Sequence, residues 1–357
     1  MPGPLARARA REEAEAPGRR TALAGLLAAG CLFAGCASTA PRRASSRLDG
    51  TVVQFTPAHN LYTRGDWTRL LQALRALGMT RIVVQWSVDG TTAYYPSRHF
   101  RIGPMPPLET LLDLAEAAGM RVLVGLAHDP QYWRHIAGEP AEVARHLGAS
   151  RARSLRAAGE LAPRLARRDV FEGWYLSEEI DDVNWREPAR RAVVAAHLGE
   201  LTTALRALDA RARIAISGFA NAGTDPALLR AFWDALLAEA PELGVVMFQD
   251  GVGVGKLSLD ELPGVLDAVR RAVEGRGREL RVIVEVFRQT AGAPIDAAPF
   301  AAEPAPIERV RRQVAIARAF SASLLAFTVS DYMSPGDTPA KARLFEAYRR
   351  ACVEGDC

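Results

Sequence analysis

The sequence predicts an α/β fold of the (β/α)8 TIM-barrel type. From residue 50 onwards, short apolar runs alternate with long amphipathic patterns about eight times. The short runs are apolar throughout rather than at every second position, which is typical of parallel strands covered on both faces. Eight such repeats within roughly 300 residues fit this barrel. A doubly wound open sheet is the alternative, but no glycine-rich phosphate loop follows the first strand.

The first helix shows how the elements are assigned. Trp67, Leu71 and Leu74 recur at helical spacing. Asp66 stands at the position of an N-cap, and Gly78 stops the pattern. The predicted strands cover residues 51–56, 81–87, 121–126, 170–177, 213–217, 244–249, 280–287 and 324–330. The predicted helices cover residues 66–77, 108–118, 139–167 (with a break near Gly148 or Gly159 as an alternative), 187–208, 226–239, 258–274, 306–320 and 338–351.

The composition is that of an ordinary globular protein without a strong electrostatic signature. The 357 residues are 49% hydrophobic and 24% charged, and the formal net charge is +4. The first 35 residues hold five arginines and three glutamates, so the remainder carries only +2. A nearly neutral body gives no reason to expect nucleic-acid binding.

The N-terminus has the order of a bacterial lipoprotein signal peptide. Five arginines precede an apolar run over residues 21–35, which is shorter than the ~20 residues of a membrane-spanning helix. The run ends in the sequence LFAGC over residues 32–36, which resembles a lipobox with Cys36 as the lipidated residue. Cys31 is a weaker alternative for lipidation, and an uncleaved signal anchor is an alternative for the whole segment.

The sequence therefore predicts four segments. A signal peptide covers residues 1–35, a flexible tether 36–48, the barrel 49–351 and a short tail 352–357. The expected location is the cell envelope, facing the periplasm or the cell exterior, with the membrane reached through the lipid on Cys36. Export would allow Cys352 and Cys357 to form a disulfide, whose effect in the tail would be local.

Four carboxylates crowd the end of the fourth predicted strand. Residues 171–182 begin as an aromatic and aliphatic run and end in Glu178, Glu179, Asp181 and Asp182. In a TIM barrel the chemistry lies at the carboxyl ends of the strands. Carboxylates packed this closely repel one another, so at least one should titrate abnormally. This stretch is therefore predicted to be the acid end of an active site.

The ends of the other predicted strands carry amides, aromatic rings and further carboxylates. Glu285 lies in an apolar strand, where an unpaired charge is expensive. It is predicted to be functional, with an ion pair to an interior arginine as the alternative. Amides and carboxylates suit sugar hydroxyls, and flat rings suit sugar faces. The predicted ligand contacts are Gln54, Gln85, Trp86, His128, Asp129, Tyr132, Trp133, Glu178, Trp185, Gln249, Asp250, Asp331 and Tyr332.

Neither a metal nor a cofactor is expected from the sequence. His128 and Asp129 are possible metal ligands, but no second histidine lies at ligand spacing. The glycine-rich run over residues 251–255 lacks the Lys-Ser/Thr ending of a phosphate loop and is interpreted as a mobile loop.

Two segments resemble the catalytic strands of retaining TIM-barrel glycosidases. Residues 173–179 (GWYLSEE) resemble the strand-4 segment with the acid/base glutamate, and residues 282–287 (VIVEVF) resemble the strand-7 segment with the nucleophile. The resemblance implies that Glu179 is the proton donor and Glu285 the nucleophile. Glu178 replaces the asparagine that commonly precedes the acid/base residue.

A wider set of motifs covers about residues 50–350. It comprises Trp67 with Leu77-Gly78 before Val84-Gln85-Trp86, then Gly125-Leu126 with Asp129-Pro130 and Tyr132-Trp133, then Gly173-Trp174-Tyr175 with Glu179-Ile180-Asp181-Asp182 and Trp185. In these motifs the chain is similar to a bacterial glycosidase-like barrel family, the domain of unknown function 4434. The resemblance implies a lipid-anchored glycoside hydrolase with a carbohydrate substrate. A non-catalytic envelope glycan-binding lipoprotein is the alternative, and a metal-dependent hydrolase is a third.

Overall fold

A computed structural model describes residues 47–355 and Cys357. Eight parallel strands close into a barrel in the order β1-β14-β11-β10-β9-β8-β6-β2, which confirms the predicted fold class. The strands are β1 (Gly50–Val53), β2 (Arg81–Val84), β3 (Val88–Asp89), β4 (Thr92–Ala93), β5 (Arg101–Ile102), β6 (Arg121–Gly125), β7 (Ala127–His128), β8 (Phe171–Asp181), β9 (Arg213–Phe219), β10 (Val245–Gln249), β11 (Glu279–Glu285), β12 (Phe287–Ala291), β13 (Ala301–Pro304) and β14 (Ser323–Phe327).

Helices lie between consecutive barrel strands. They are α1 (Arg64–Ala76), α2 (Pro107–Ala117), α3 (Tyr132–Ile136), α4 (Pro140–Leu165), α5 (Pro188–Leu208), α6 (Pro226–Glu239), α7 (Leu262–Gly275), α8 (Ile307–Arg318), α9 (Val329–Tyr332) and α10 (Pro339–Tyr348). A 3-10 turn (Pro57–Leu61) follows β1, and a π turn (Arg349–Val353) follows α10.

Two details of the predicted helices are corrected by the structure. The N-cap of α1 is Thr63, not Asp66: the Thr63 hydroxyl accepts the Asp66 N–H, and the Asp66 carboxylate accepts the Thr63 N–H at 2.7 Å. This reciprocal pair is a capping box. Helix α4 runs unbroken through Gly148 and Gly159, because one buried face continues along its whole length.

Two apolar layers hold the barrel together. Every barrel strand contributes to the inner layer, which consists of Val52, Val83, Leu123, Tyr175, Ala215, Val245, Met247, Ile283 and Leu325. The outer layer fills the space between the strands and the helices. Each strand is therefore covered on both faces, which explains why its sequence is apolar throughout.

The register of β8 is interrupted at its carboxyl end. Leu176 pairs with Ile216, but Glu179 pairs with Ser217, so two extra residues bulge from β8 at this point. The strand consequently continues to Asp181, beyond its predicted end. The bulge keeps Glu179 within the hydrogen-bonded sheet at the mouth of the barrel.

Short sheets build up the rim around the mouth. Strands β12 and β13 form an antiparallel pair after β11, and β3, β4, β5 and β7 form a second small sheet. None of these short strands was predicted, because none contains the continuous apolar run that marks a barrel strand.

The two ends of the described chain are tied to the barrel. Leu48 is fully buried, and its N–H donates to the Tyr348 hydroxyl at 2.6 Å. Cys352 and Cys357 are joined by a disulfide. Within residues 47–355 and Cys357, no helix has the length and apolar character needed to cross a membrane. The predicted signal peptide, Cys36 and nearly all of the predicted tether lie outside the described residues.

Candidate active site

A cavity of about 480 Å³ lies at the carboxyl ends of the barrel strands. Its wall consists of Trp133, Glu179, Asp181, Asn184, Phe219, Asn221, Gln249, Gly251, Val254, Lys256, Glu285, Gln289, Ala293, Pro294 and Phe300. A larger cavity of about 620 Å³ lies at the opposite end, lined largely by arginines near the starts of the strands. Because TIM-barrel chemistry occurs at the carboxyl ends, the smaller cavity is the candidate active site.

Glu179 reaches this cavity from the bulged end of β8. Its Oε1 atom accepts a hydrogen bond from Gln249 Nε2 at 2.7 Å. Its backbone carbonyl accepts one from the Tyr132 hydroxyl at 2.8 Å. Burial raises the pKa of the Glu179 carboxyl, while Gln249, His128 and Lys256 act in the opposite direction. The side chain is thus fixed at one oxygen, and its second oxygen makes no hydrogen bond within the described chain.

Glu285 ends β11 and meets the glycine-rich loop over residues 251–255. The Val254 N–H donates to Glu285 Oε2 at 2.9 Å. A Cβ on Gly253 would stand 2.7 Å from the Cβ of Glu285 and 2.6 Å from the carbonyl oxygen of Phe287, so this close approach requires glycine. The glycine-rich loop is therefore packed against the carboxyl group of Glu285.

Asp250 lies behind Glu285 and is fully buried. Its Oδ1 accepts the N–H groups of Val252 at 3.2 Å and Glu285 at 3.3 Å, and its Oδ2 accepts Gln313 Nε2 at 2.6 Å. Burial raises the pKa of Asp250 to about 6. Burial and the charge of Asp250 raise the pKa of Glu285 to about 8. Both Asp250 oxygens accept N–H groups, which favours the ionised form of Asp250, and the charge of Asp250 favours the protonated form of Glu285.

Lys256 brings a positive charge to the same cavity. Its ammonium lies 3.5 Å from the ring centroid of Phe219. Burial lowers the pKa of Lys256, and the carboxylates of Asp181, Glu179 and Glu285 oppose that effect. Sequence analysis missed this residue, although the chain holds only one other lysine, Lys341. Because arginine supplies nearly all other basic side chains, the rarity of lysine could have marked Lys256 as a candidate site residue.

Asp181 organises the loops beside Glu179. Its Oδ1 accepts the N–H of Asn184 at 2.8 Å and Asn221 Nδ2 at 3.0 Å, and its Oδ2 accepts Asn184 Nδ2 at 2.8 Å. The two asparagines are thereby held in the cavity wall. Gln289, Pro294 and Phe300 complete the wall from the β12–β13 region, which no sequence pattern connected with the site.

Glu178 does not belong to the candidate site, which corrects its prediction as a ligand contact. Alternate residues of β8 face opposite sides, so Glu178 points away from the mouth towards the helices. Its Oε1 accepts the Ser150 hydroxyl at 3.0 Å and lies 3.2 Å from His197 Nε2. Burial alone would raise the pKa of Glu178, but the hydrogen bond and charge of His197 bring it below the ordinary range. Glu178 therefore joins β8 to α4 and α5.

Replacing Glu178 with alanine is expected to destabilise the fold by about 3 kcal/mol, because it leaves buried polar partners uncompensated. The pKa of Glu178 is lowered in the folded protein, so its contribution exists above the ordinary glutamate pKa and disappears as the pH falls. In urea unfolding, the loss of unfolding free energy relative to wild type should be smaller at pH 4 than at pH 7. Exposed Glu142→Ala serves as the control, and equal stability of both variants would refute the structural role.

Other predicted ligand contacts are also placed elsewhere by the structure. Trp185 is fully buried in the core, and Trp86 is buried and stacks on His128 with ring centroids 4.3 Å apart. Asp250 is buried behind Glu285. Trp133, in contrast, is 44% exposed and lines the cavity, so it is the one of these three tryptophans whose ring is accessible from the cavity. The predicted contacts outside the cavity wall are Gln54, Gln85, Trp86, His128, Asp129, Tyr132, Glu178, Trp185, Asp250, Asp331 and Tyr332.

Glu285 is also distinct from the interior ion pairs of the barrel. The fully buried Arg281 pairs with Glu172 and Glu279 at the amino end of the strands. Glu285 forms no salt bridge within the described residues. Arg309 lies beside it instead: Arg309 donates to the Glu285 backbone carbonyl at 3.1 Å, and its charge opposes the rise in the pKa of the Glu285 carboxyl without forming a salt bridge within the described residues.

Comparison with known proteins agrees with this architecture. The model of the family described as "Domain of unknown function (DUF4434)" matches residues 48–342. The chain belongs to this family. The Escherichia coli (strain K12) protein "Uncharacterized protein YbcH" is 29% identical over 231 residues, which cover 63% of this chain and 72% of that protein.

Solved structures with the same fold include two proteins described as glycosidases. A "putative alpha-L-fucosidase" from Bacteroides thetaiotaomicron aligns with a TM-score of 0.70 at 18% identity, covering 91% of this chain and 98% of that chain. The xylanase TsXylA from Thermoanaerobacterium saccharolyticum aligns with a TM-score of 0.51 at 12% identity, covering 84% and 95%. These structural alignments support a glycosidase-like barrel fold for this DUF4434 member.

Proposed function

We propose that this protein is a glycoside hydrolase that uses Glu179 and Glu285 as its two carboxyl groups. The observation that supports the proposal most strongly is that both carboxyls line one cavity at the carboxyl ends of the barrel strands. Hydrolysis of a glycosidic bond needs two such groups, one to donate a proton and one to act as nucleophile or base.

The environments of the two carboxyls support a division of roles. Glu285 is almost fully buried beside a second carboxyl, and its pKa is raised to about 8. Glu179 accepts an amide hydrogen bond and lies close enough to Lys256 for that charge to favour its ionised form. Groups whose environments separate their pKa values are suited to opposite acid and base roles. We therefore assign Glu285 as the proton donor and Glu179 as the carboxylate, the reverse of what the resemblance to strand-4 and strand-7 motifs implies.

The proposed reaction proceeds as follows. Glu285 transfers its proton to the glycosidic oxygen as the bond between that oxygen and the anomeric carbon breaks. Glu179 either attacks the anomeric carbon, forming an ester that water later hydrolyses, or removes a proton from the attacking water. In the first case Glu285 takes its proton back from the water that hydrolyses the ester. In the second case Glu179 releases its proton to solvent and Glu285 takes one up from solvent, which the adjacent charge of Asp250 favours. The net reaction consumes one water molecule and releases two hydroxyl-bearing sugars.

The remaining wall of the cavity suits a carbohydrate. The exposed indole of Trp133 offers a flat apolar surface. Asn184, Asn221 and Gln289 add amide groups that donate to and accept from hydroxyls. The signal-peptide pattern at the N-terminus supports a further part of the proposal: the enzyme acts in the cell envelope, anchored through a lipid on Cys36.

A screen of the purified protein against aryl glycosides and envelope polysaccharides tests the proposal. Release of reducing ends or aryl alcohol supports hydrolysis. Binding of a glycan by calorimetry without any release, under the same conditions, would contradict hydrolysis and favour the non-catalytic envelope lipoprotein.

A further inference from the structure

A second cluster of reactive side chains lies beside α3, outside the cavity wall. Asp129 follows β7, His135 lies on α3 and His146 lies on α4. One ligand-type atom from each side chain falls within 4.8 Å of the other two. Asp129 Oδ2 is 3.1 Å from His146 Nε2 and 4.0 Å from His135 Nε2. The fold thus brings together three residues that the sequence separates by six and eleven positions.

Within the described chain, the polar atoms of this cluster are only partly satisfied by hydrogen bonds. Asp129 Oδ1 accepts the Gln131 N–H at 2.9 Å, so Oδ2 is the oxygen turned towards the histidines. His146 Nε2 is buried and has no partner in hydrogen-bond geometry within the described residues, although Oδ2 lies near it. A buried nitrogen without a partner is costly. The Nε2 atom of His146 is therefore available to a ligand on the side that faces Asp129 Oδ2.

We propose that Asp129, His135 and His146 bind one divalent transition-metal ion, with Zn²⁺ the best match. Zinc accepts carboxylate oxygen and imidazole nitrogen at about 2.0–2.2 Å, which places tetrahedral ligand atoms about 3.3 Å apart. The separations of 3.1 and 4.0 Å are near that value. Two imidazoles with one carboxylate favour zinc and its neighbours over magnesium or calcium.

The two histidine rings have to separate for the ion to bind, and His135 is the more exposed of them. The rings of His135 and His146 are stacked with centroids 4.1 Å apart and an interplanar angle of 17°. Metal bonds lie in the ring plane, so the two rings must splay apart. The side chain of His135 is 44% exposed and free to rotate, whereas those of Asp129 and His146 are 14% and 15% exposed. The exposed side leaves room for water as the fourth ligand.

The surrounding charges oppose and assist the cation. The guanidinium of Arg153 lies near the cluster, where the carbonyls of Gly90 and His128 accept its hydrogen bonds at 2.7 and 2.8 Å. The ligand set itself contributes one negative charge, which offsets the repulsion by Arg153.

The metal would fasten the helix that shapes the candidate active site. Helix α3 carries Trp133 in the cavity wall and Tyr132, whose hydroxyl binds the Glu179 carbonyl at 2.8 Å. An ion that joins His135 on α3 to His146 on α4 would fix α3 and thereby hold Trp133 and Tyr132 in place. Binding of the ion is independent of glycoside hydrolysis, so the two proposals fail separately.

Titration calorimetry of tag-free, chelator-stripped full-length protein with Zn²⁺ tests this inference, with Co²⁺ as a spectroscopic probe. We expect one ion per chain, visible Co²⁺ absorption of a four- or five-coordinate site, and a rise in Tm on binding. His135→Gln and His146→Gln should each weaken binding at least ~10-fold.

The exposed His99→Gln is the matched control and should bind as wild type does. His135 is half-exposed, so its variant should fold even if His146→Gln does not. Absence of binding at ~100 µM Zn²⁺, a concentration well above the dissociation constants usual for zinc sites, would overturn the inference. Unchanged affinity in His135→Gln would do so equally.

Discussion

Glu285→Gln is expected to lower kcat/KM by about 1,000-fold for glycosides with a poor leaving group. The amide keeps the size of the side chain and can still fill the space beside Gly253, but it cannot donate an acidic proton. Aryl glycosides with a strongly acidic leaving alcohol do not need protonation, so their turnover should fall much less. The measurement is kcat/KM over a series of aryl leaving groups, for wild type and variant.

Two features make this experiment specific. Glu303→Gln is the control, since Glu303 is a half-exposed acid of the rim paired with Arg288, and it should hydrolyse the whole series as wild type does. The Tm of Glu285→Gln should not fall at neutral pH, because the amide matches the size of a carboxyl that its raised pKa of about 8 keeps mostly uncharged. Equal losses for good and poor leaving groups would rule out a donor role for Glu285.

Glu179→Gly is expected to lose at least about 1,000-fold in kcat, and added azide or formate should restore turnover of an activated aryl glycoside. The small anion would occupy the space of the missing carboxylate and react at the anomeric carbon or activate water. Gln249 and Lys256 remain in place to hold it. The measurement is the rate with and without azide, together with identification of any glycosyl azide.

Glu178→Gly is the neighbouring control for this rescue. It removes an adjacent carboxylate that faces Ser150 and His197 instead of the cavity. Azide should give it no increase in rate. Restoration of Glu178→Gly by azide, or full activity of Glu179→Gly without it, would contradict the assignment of Glu179.

The barrel was predictable because each strand can be recognised from its own few residues. Each barrel strand is buried on both faces, so each appears in the sequence as a short apolar run, and the eight runs suffice to count the strands. The alternation along β8 was also available: Tyr175 lies in the inner layer, so Glu179 shares its face and Glu178 does not. Applied consistently, this parity would have removed Glu178 from the predicted contacts.

The remaining features of the site depend on contacts between distant segments. The proton-holding environment of Glu285 requires Asp250 and Val254 from another loop, and Gln313 from α8. The proposed metal ligands His135 and His146 lie on two helices, so ligand spacing in the sequence does not single them out. Only the fold brings them close to Asp129.

The pH dependence of kcat/KM for wild type, on the best substrate found by the screen, tests the central claim most directly. This profile reports the free enzyme. Glu285 has a raised pKa of about 8 and must be protonated to act, so kcat/KM should be lost as the pH rises through about 8. Glu179 must be ionised, so an acid limb should lie above the ordinary glutamate range, in line with its raised pKa. A kcat/KM that instead increases as the pH rises through 8 would show that Glu285 acts ionised and would contradict the account.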